Sequence, residues 1–455
     1  MAVLMAIMNR IYILLLLTAF SLSGFAQQKP SIKLGTKTLY QPLQSNYTPV
    51  PSGYKAVYIN FIGRHGARHL TKDVKVSYAW RLLKKADSLN VLNDEGKMLW
   101  KMVSNLDKVE EKGFASISKT GAEELEGIAK RMYTNQKNVF SGNSTPLMIS
   151  TTKKGRTKES AEAFLAGLKA EKPSLTENVK FNYADDDHLR FYDFSKTYNE
   201  FEEHGAWIKE YQKLANIKKL NSITDQFVNK FFKADFLKSL NPENRTTFIE
   251  DIYGFYTILG AIEYEIKAVN LNDTDLNFAK YFIATDLKAL GVLGDAEDFL
   301  KKGPGMNANG IQVRIAAPLL ADFINTTDSY LKSNSPKADL RFAHAETVAP
   351  FAAIMNIKGA SEPAKDILSF NQVWKAEKVI PFSANIQWIF YKNESKNQYL
   401  VKFLLNEKEV AINGLSTKTY PYYNWDSVRA FYLKKLKSLK VRLNDNMHDY
   451  LLNVK

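Results

Sequence analysis

The spacing of hydrophobic and polar positions predicts strands and helices in alternation. Three short runs rich in β-branched and aromatic side chains are typical of buried strands: residues 56–63 (AVYINFIG), 147–150 and 339–343 (DLRFA). Helical spacing predicts helices at 76–92, at about 94–111 and after 155, where Ala161, Phe164, Leu165 and Leu168 follow an i, i+3, i+4, i+7 pattern. Such alternation predicts a parallel sheet with crossover helices.

Capping and turn signals predict further elements. Thr120 and Glu123 match the S/T-x-x-E capping box, which predicts a helix from there to about residue 133. Residues 380–391 and 399–412 predict a β-hairpin, and residues 425–442 predict a final helix.

The pattern changes between residues 173 and 335, where aromatic-rich stretches have a helical period and strand signals nearly vanish. We therefore predict an α/β fold, with a mostly parallel sheet flanked by helices and an inserted, mainly α-helical cap domain. The α/β core domain then comprises residues 27–172 and 336–455, with the cap at 173–335.

The N-terminus predicts export. Arg10 precedes an apolar run at 11–20, and the small residues Gly24 and Ala26 fit the −3 and −1 positions of a cleavage site. Residues 1–26 are therefore predicted to be a signal peptide, because the apolar run falls short of the roughly 18 to 20 residues that span a bilayer. We expect a periplasmic or secreted protein with no stable membrane anchor.

Composition narrows the choice of partners. The 455 residues include 62 Lys and Arg against 48 Asp and Glu, a net charge of +14, which favours an acidic partner. The absence of cysteine excludes disulfides, thiolate catalysis and thiolate metal sites. The basic stretch at 434–442 has leucines at helical spacing, which favours a solvated helix face over a nucleic-acid patch.

Candidate chemistry begins where the first predicted strand ends. The sequence Arg64-His65-Gly66-Ala67-Arg68 follows that strand directly, and ligands of open α/β sheets bind beyond the carboxyl ends of the strands. Two guanidiniums beside an imidazole can bind anionic oxygens and leave one ring nitrogen free to attack. The alternative is a strand-end turn with surface arginines.

Two more groups follow predicted strands. Arg156 lies between a strand and a helix N-terminus, a position that favours anions. His344 and Glu346 follow the third strand, and two-residue spacing in extended chain would put both side chains on one face. Since the ends of parallel strands converge, we expect these residues to lie near His65.

These residues together resemble the histidine acid phosphatase family, that is, clade 2 of the histidine phosphatases. Within it, His344-Ala345-Glu346 is similar to the variant of multiple inositol polyphosphate phosphatases and histidine-type phytases. Supporting similarity lies at residues 156–157, 160–164, 189–193 (LRFYD), 381–385 and 404–410 (LLNEKEV). One departure is Leu70, which stands where the family usually has proline.

The resemblance implies a role for each matching residue. His65 would be the nucleophile that forms a phosphohistidine, and Glu346 would be the proton donor. The phosphoryl group would be bound by Arg64, Arg68, Arg156 and His344. An acidic residue of 185–187 is an alternative donor. Candidate contacts to other phosphates are His69, Lys72, Lys154 and Arg190.

The resulting hypothesis is a monomeric phosphomonoesterase that needs no metal or cofactor and acts on inositol hexakisphosphate and other inositol polyphosphates. A broad acid phosphatase for sugar phosphates or phosphoglycerates would use the same mechanism. A non-catalytic polyanion-binding protein on the same fold is an alternative of another class, and export disfavours a phosphomutase. We expect a small polyanionic substrate and no nucleic-acid partner.

Overall fold

The computed structural model describes residues 33–142, 145–183 and 186–455. The predicted signal peptide at 1–26 and Asp185 of the alternative donor group lie outside the described residues. Within the described ranges, no helix is both long enough and apolar enough to cross a membrane.

One mixed sheet organises this part of the chain. Its eight described strands are β1 (Tyr54–Arg64), β2 (Leu147–Thr151), β3 (Val179–Tyr183), β4 (Ala338–Ala343), β5 (Asn385–Asn393), β6 (Gln398–Leu405), β7 (Lys408–Glu409) and β8 (Tyr422–Asn424). The order is β3-β2-β4-β1-β5-β6-β7, and β8 also pairs with β6. Strands β3, β2, β4 and β1 are mutually parallel, whereas β5 to β8 pair antiparallel. The predicted α/β sheet with helices around it is confirmed.

Helices cover both faces of this sheet and form most of the chain between β3 and β4. The described α-helices are α1 (Tyr78–Ser88), α2 (Asp94–Glu110), α3 (Lys119–Asn135), α4 (Gly155–Glu171), α5 (Asp186–Leu189), α6 (Lys196–His204), α7 (Trp207–Ile217), α8 (Leu220–Val228), α9 (Ala234–Leu237), α10 (Pro242–Ile258), α11 (Glu263–Ala268), α12 (Ala284–Lys301), α13 (Ile311–Arg314), α14 (Ala317–Ser333), α15 (Ala345–Ile354), α16 (Phe370–Val373), α17 (Ala376–Val379), α18 (Trp425–Ser438) and α19 (Met447–Asn453). Short 3-10 turns lie between them, one at Gly35–Lys37 before β1.

Strand β1 is buried on both faces, which explains its nearly continuous apolar sequence. Tyr58 and Ile62 pack into the cluster that contains α14, α15 and α18, whereas Ile59 and Phe61 pack into the cluster with α3 and α4. A third apolar cluster joins α1, α2, α8 and α10, and it also includes Ala67 and Phe382 beside the 64–68 loop.

Several elements differ from the sequence-based prediction, among them β8, which was not predicted, and the first hairpin strand, which begins at Asn385 rather than at residue 380. Strand β3 was not predicted, although its sequence VKFNY alternates apolar and polar residues; it is five residues long and lies at the edge of the sheet. Helix α3 begins at Lys119 because Ser118, rather than Thr120, is its N-cap and accepts from the amide of Gly121 at 3.2 Å. The final predicted helix ends at Ser438 and is followed by α19, which the sequence did not indicate.

The first turn of α3 packs directly on the 64–68 loop. The amide of Ser118 donates to the carbonyl of Ala67 at 2.9 Å. A Cβ on Gly121 would lie 2.0 Å from that same carbonyl oxygen, and a Cβ on Gly66 would lie 2.6 Å from the carbonyl oxygen of Gly121. Both glycines are therefore needed for the close approach of two backbones.

We expect Gly121→Ala to destabilise the protein by about 1–3 kcal/mol, because backbone atoms cannot yield to the added methyl group. Gly294→Ala in α12 is the matched control, since a Cβ there would meet nothing within 4 Å. The control should be unchanged or about 0.5–1 kcal/mol more stable in denaturant unfolding. Equal stabilities for both variants would contradict the packing of α3 on the loop.

Candidate active site

Three parallel strands bring the sequence-predicted groups together at the edge of the sheet where the strands' carboxyl ends lie. The register pairs Arg64 with Ala343 and Thr151 with Phe342, so β1, β2 and β4 end at the same level. The segments that follow these strands therefore meet. They contain His65, Arg68, Arg156, His344 and Glu346, and Arg64 is the last residue of β1.

His65 is buried at this edge, with 3 % of its surface exposed. Its Nδ1 lies 3.0 Å from the carbonyl oxygen of Gly66, which can only accept, so Nδ1 carries the proton. Burial, and then Arg64 and Arg68, hold the pKa of His65 well below its usual range. The ring is therefore neutral and has its lone pair at Nε2.

The loop around His65 is fixed by side chains from other elements. Ser160 accepts from the amide of Gly66 at 3.1 Å, and Glu124 accepts from the amide of Ala67 at 3.0 Å. Ser383 donates to the same Glu124 oxygen at 2.6 Å. Burial raises the pKa of Glu124, against the lowering effect of these hydrogen bonds. Sequence reasoning missed Glu124, although it adjoins the wrongly placed capping box.

Within the described residues, three arginines whose charges act on His65 each have an N–H group without a hydrogen-bond partner. Arg64 donates through Nη1 to the carbonyl of Ile380 at 2.7 Å and lies over the ring of Phe382. The Nε atoms of Arg64, Arg68 and Arg156 are all buried, and within the described residues none has a hydrogen-bond partner. Each such donor costs about 1–3 kcal/mol, which a bound anion would offset.

His344 is held between Arg156 and a threonine. Arg156 donates through Nη2 to Nδ1 of His344 at 3.2 Å, so Nε2 carries the proton and donates to Thr152 Oγ1 at 3.0 Å. Burial, and then Arg156, lower the pKa of His344 to about 3. Its ring centre lies 5.7 Å from that of His65. Both imidazoles are thus neutral and lie close to the guanidiniums.

Glu346 is placed by a helix and not by an extended chain. His344 is the N-cap of α15, and Glu346 lies in the first turn of that helix, so the strand-alternation argument for its position was wrong. Its Oε1 lies 3.0 Å from Nζ of Lys302, which also contacts Asp298 at 2.7 Å. Burial raises the pKa of Glu346, but Lys302 and then His344 outweigh this effect and hold it below its usual range. Sequence reasoning missed Lys302.

The four other predicted contact residues are more dispersed. His69 is buried, with Nδ1 3.4 Å from Glu110 and Nε2 3.9 Å from Glu265. Arg190 contacts Asp193 at 2.5 Å, and its charge lowers the pKa of His344. Lys72 lines a cavity of about 320 Å³ beside α10, and Lys154 is exposed at the start of α4.

The described residues contain no group of three or more His, Asp or Glu side chains that could hold a metal ion. The charge at the site comes instead from the guanidiniums of Arg64, Arg68 and Arg156.

The sequence model of the histidine phosphatase superfamily (branch 2) matches residues 58–406. The chain belongs to this family. The match contains all six residues that meet at the sheet edge. The coarser functional prediction, a phosphatase of the histidine phosphatase superfamily, is therefore confirmed.

Solved structures share the fold over most of the chain. A multiple inositol polyphosphate phosphatase from Bifidobacterium longum in complex with inositol hexasulfate is 23 % identical, with a TM-score of 0.75 over 89 % of this chain and 97 % of that one. The phytase from D. castellii is 15 % identical, with a TM-score of 0.62 over 88 % and 84 % of the two chains. No curated protein sequence matches the chain significantly.

We expect Arg156→Lys to reduce turnover of p-nitrophenyl phosphate about 10²–10³-fold, as is typical when one aimed donor to a developing oxyanion is lost. Lysine is a point charge and cannot present the planar, bidentate fork of donors that arginine offers to a phosphoryl group. The exposed Arg442→Lys is the control and should retain full activity. Near-normal turnover of Arg156→Lys, with unchanged thermal stability, would show that Arg156 does not contact the reacting phosphoryl group.

Proposed function

We propose that this chain is an exported phosphomonoesterase that removes phosphates from inositol hexakisphosphate and other inositol polyphosphates through a phosphohistidine at His65. The observation that carries the proposal is the set of three buried, unpartnered Nε–H groups on Arg64, Arg68 and Arg156. The charges of these three arginines all act on the neutral imidazole of His65, whose Nε2 is free to attack. A tetrahedral phosphoryl group supplies the acceptor oxygens that these donors lack.

In the first step, Nε2 of His65 attacks phosphorus and the bond from phosphorus to the ester oxygen breaks. The guanidiniums of Arg64, Arg68 and Arg156 stabilise the charge on the phosphoryl oxygens. Once Arg156 turns toward the ligand, it no longer donates to His344. His344 then donates a hydrogen bond to the phosphoryl group from the ring nitrogen that carries its proton. Glu346 gives its proton to the departing alkoxide, which leaves as an alcohol.

In the second step, Glu346 takes a proton from water, and the resulting hydroxide attacks the phosphohistidine. The bond from phosphorus to Nε2 breaks, inorganic phosphate leaves, and His65 returns to its neutral form. Both steps balance in protons, because Glu346 donates one and then regains it.

Glu346 has to take up a proton from solvent when the substrate binds. In the free protein, Lys302 keeps this carboxyl ionised. A phosphate dianion brought beside Glu346 raises its pKa by like-charge repulsion and also competes for Lys302. The donor is therefore charged in the free enzyme and protonated in the substrate complex.

A polyphosphorylated substrate fits the surplus positive charge of +14. The solved phosphatase complex with inositol hexasulfate supports the same substrate class. We propose His69, Lys72, Lys154 and Arg190 as contacts to phosphates beyond the reacting one. We also propose that residues 1–26 direct export and that the helical segment at 173–335, which contains Arg190 and Lys302, is a cap over the site.

Incubation with inositol hexakisphosphate, followed by ion-exchange separation of the products, tests this function. We expect lower inositol phosphates to accumulate together with inorganic phosphate. Rapid turnover of sugar phosphates without any turnover of inositol hexakisphosphate would instead identify a broad acid phosphatase. Tight binding without turnover of any ester would identify a polyanion-binding protein.

We expect Glu346→Gln to lose about a hundredfold or more in rate on inositol hexakisphosphate and much less on p-nitrophenyl phosphate. An inositol alkoxide is a poor leaving group and needs a proton, whereas p-nitrophenolate departs as an anion. The exposed Glu203→Gln is the control. Equal losses on both substrates would assign Glu346 a binding or structural role, and no loss on either would assign the proton to another residue.

A further inference from the structure

A chain of hydrogen bonds begins at Nε2 of His344, the ring nitrogen that Arg156 does not contact. This nitrogen lies 3.0 Å from Oγ1 of Thr152, the residue that follows β2. Oγ1 of Thr152 lies 2.9 Å from Oγ1 of Thr157 in the first turn of α4, and Thr157 donates to the carbonyl of Lys154 at 2.8 Å. The side chains of His344, Thr152 and Thr157 are buried, so this chain lies away from solvent.

The direction of each hydrogen bond follows from the first one. Arg156 can only donate, so His344 accepts at Nδ1 and donates from Nε2 to Thr152. Oγ1 of Thr152 also accepts from the amide of Lys154 at 3.3 Å, which occupies its second lone pair. The hydroxyl hydrogen of Thr152 therefore points to Thr157. The two threonines thus complete a chain of donors that runs from the guanidinium to a backbone carbonyl.

This arrangement leaves one face of the imidazole for the ligand. Because Nε2 is engaged by the buried hydroxyl of Thr152, the nitrogen that can face an anion is Nδ1, on the side of Arg156. Within the described residues, the ring of His344 has hydrogen bonds only to Arg156 and Thr152. In the proposed mechanism Arg156 turns to the phosphoryl group, so the bond to Thr152 is the one of these two that remains.

A hydroxyl can hold the ring in either protonation pattern. It accepts when Nε2 carries a proton, and it donates when Nε2 has a lone pair. In the second case Thr157 can turn its hydrogen to Thr152, because the carbonyl of Lys154 keeps its bond from the amide of Thr157 at 3.0 Å. The orientation of the imidazole therefore does not depend on which ring nitrogen carries the proton.

We propose that Thr152 is a positioning residue, whose hydroxyl, supported by Thr157, holds His344 with Nδ1 toward the reacting phosphoryl group. This inference rests on the proposed phosphatase function and deepens it. The transferred phosphoryl group is the same in every phosphate ester, so the effect of Thr152 should not depend on the leaving group. In this respect it differs from Glu346.

The test compares Thr152→Val and Thr152→Ser with wild type on p-nitrophenyl phosphate and on inositol hexakisphosphate. Valine has nearly the shape of threonine but leaves Nε2 of His344 without a partner, whereas serine keeps the hydroxyl. We expect Thr152→Val to lower kcat about tenfold or more on both substrates, as for loss of a buried hydrogen bond. Thr152→Ser should retain most of the turnover.

Two controls separate positioning from packing. Thr151→Val changes the neighbouring buried threonine, whose Oγ1 has no hydrogen-bond partner within the described residues, and it should match wild type. Thr327→Val removes a buried hydroxyl that accepts from Asn60 at 3.3 Å, so it should lower the free energy of unfolding but not kcat. The proposal would be overturned if Thr152→Val kept its turnover, or if Thr152→Ser lost as much turnover as Thr152→Val.

The proton on His344 can also be followed without turnover, in imidazole ¹⁵N–¹H spectra of the free protein. The Nε2–H signal, assigned by its absence from His344→Ala, should exchange slowly with water because Thr152 accepts this proton in a buried place. We expect the signal to persist in Thr152→Ser and to be lost in Thr152→Val, and its survival in Thr152→Val would contradict the proposal. If wild type hydrolyses neither ester, the proposed phosphatase function is wrong, and this signal still decides whether Thr152 holds His344.

Discussion

The structure of the site depends on three largely buried guanidiniums, those of Arg64, Arg68 and Arg156, whose positive charges lie close together. Arg64, Arg68 and Arg156 each keep a buried Nε–H without a partner, although nearby backbone carbonyls satisfy other N–H groups of Arg64 and Arg68. Unpaired buried donors normally cost free energy, so the fold around them has to be rigid enough to resist collapse. The sheet edge supplies that rigidity, because three parallel strands end there in register.

The same charge sets the protonation of the site. Burial and the neighbouring arginines keep His65 and His344 neutral, and the carbonyl of Gly66 directs the lone pair of His65 to Nε2. Glu346 is the only carboxylate that we assign to the chemistry. Its contact with Lys302 keeps it ionised in the free protein, and in the proposed mechanism it is protonated when a phosphate binds. In the proposed mechanism, these preorganised donors accelerate the reaction only as far as they bind the transition state more tightly than the bound ester.

Sequence patterns predicted the sheet, the 64–68 loop and the convergence of His344 and Arg156 on it, because each follows an apolar strand run that local reasoning detects. They did not predict Glu124 or Lys302, since each is an ordinary polar residue on a helix or turn that reaches the site only through tertiary packing. The edge strand β3 was missed although VKFNY alternates apolar and polar residues, because so short a run is hard to tell apart from the helix-rich segment that follows it. Glu346 was placed near His344 for the wrong reason, because a helix begins at Ala345.

The most direct test of the account is chemical quenching of the enzyme during turnover of a ³²P-labelled phosphate ester, followed by mapping of the protein-bound label. We predict an acid-labile phosphoryl group on His65, attached at Nε2, because Nδ1 is engaged with the carbonyl of Gly66. His65→Ala should give no label and no turnover while it remains folded. Label on His344, on a serine or on an aspartate, or an active His65→Ala variant, would contradict the central claim.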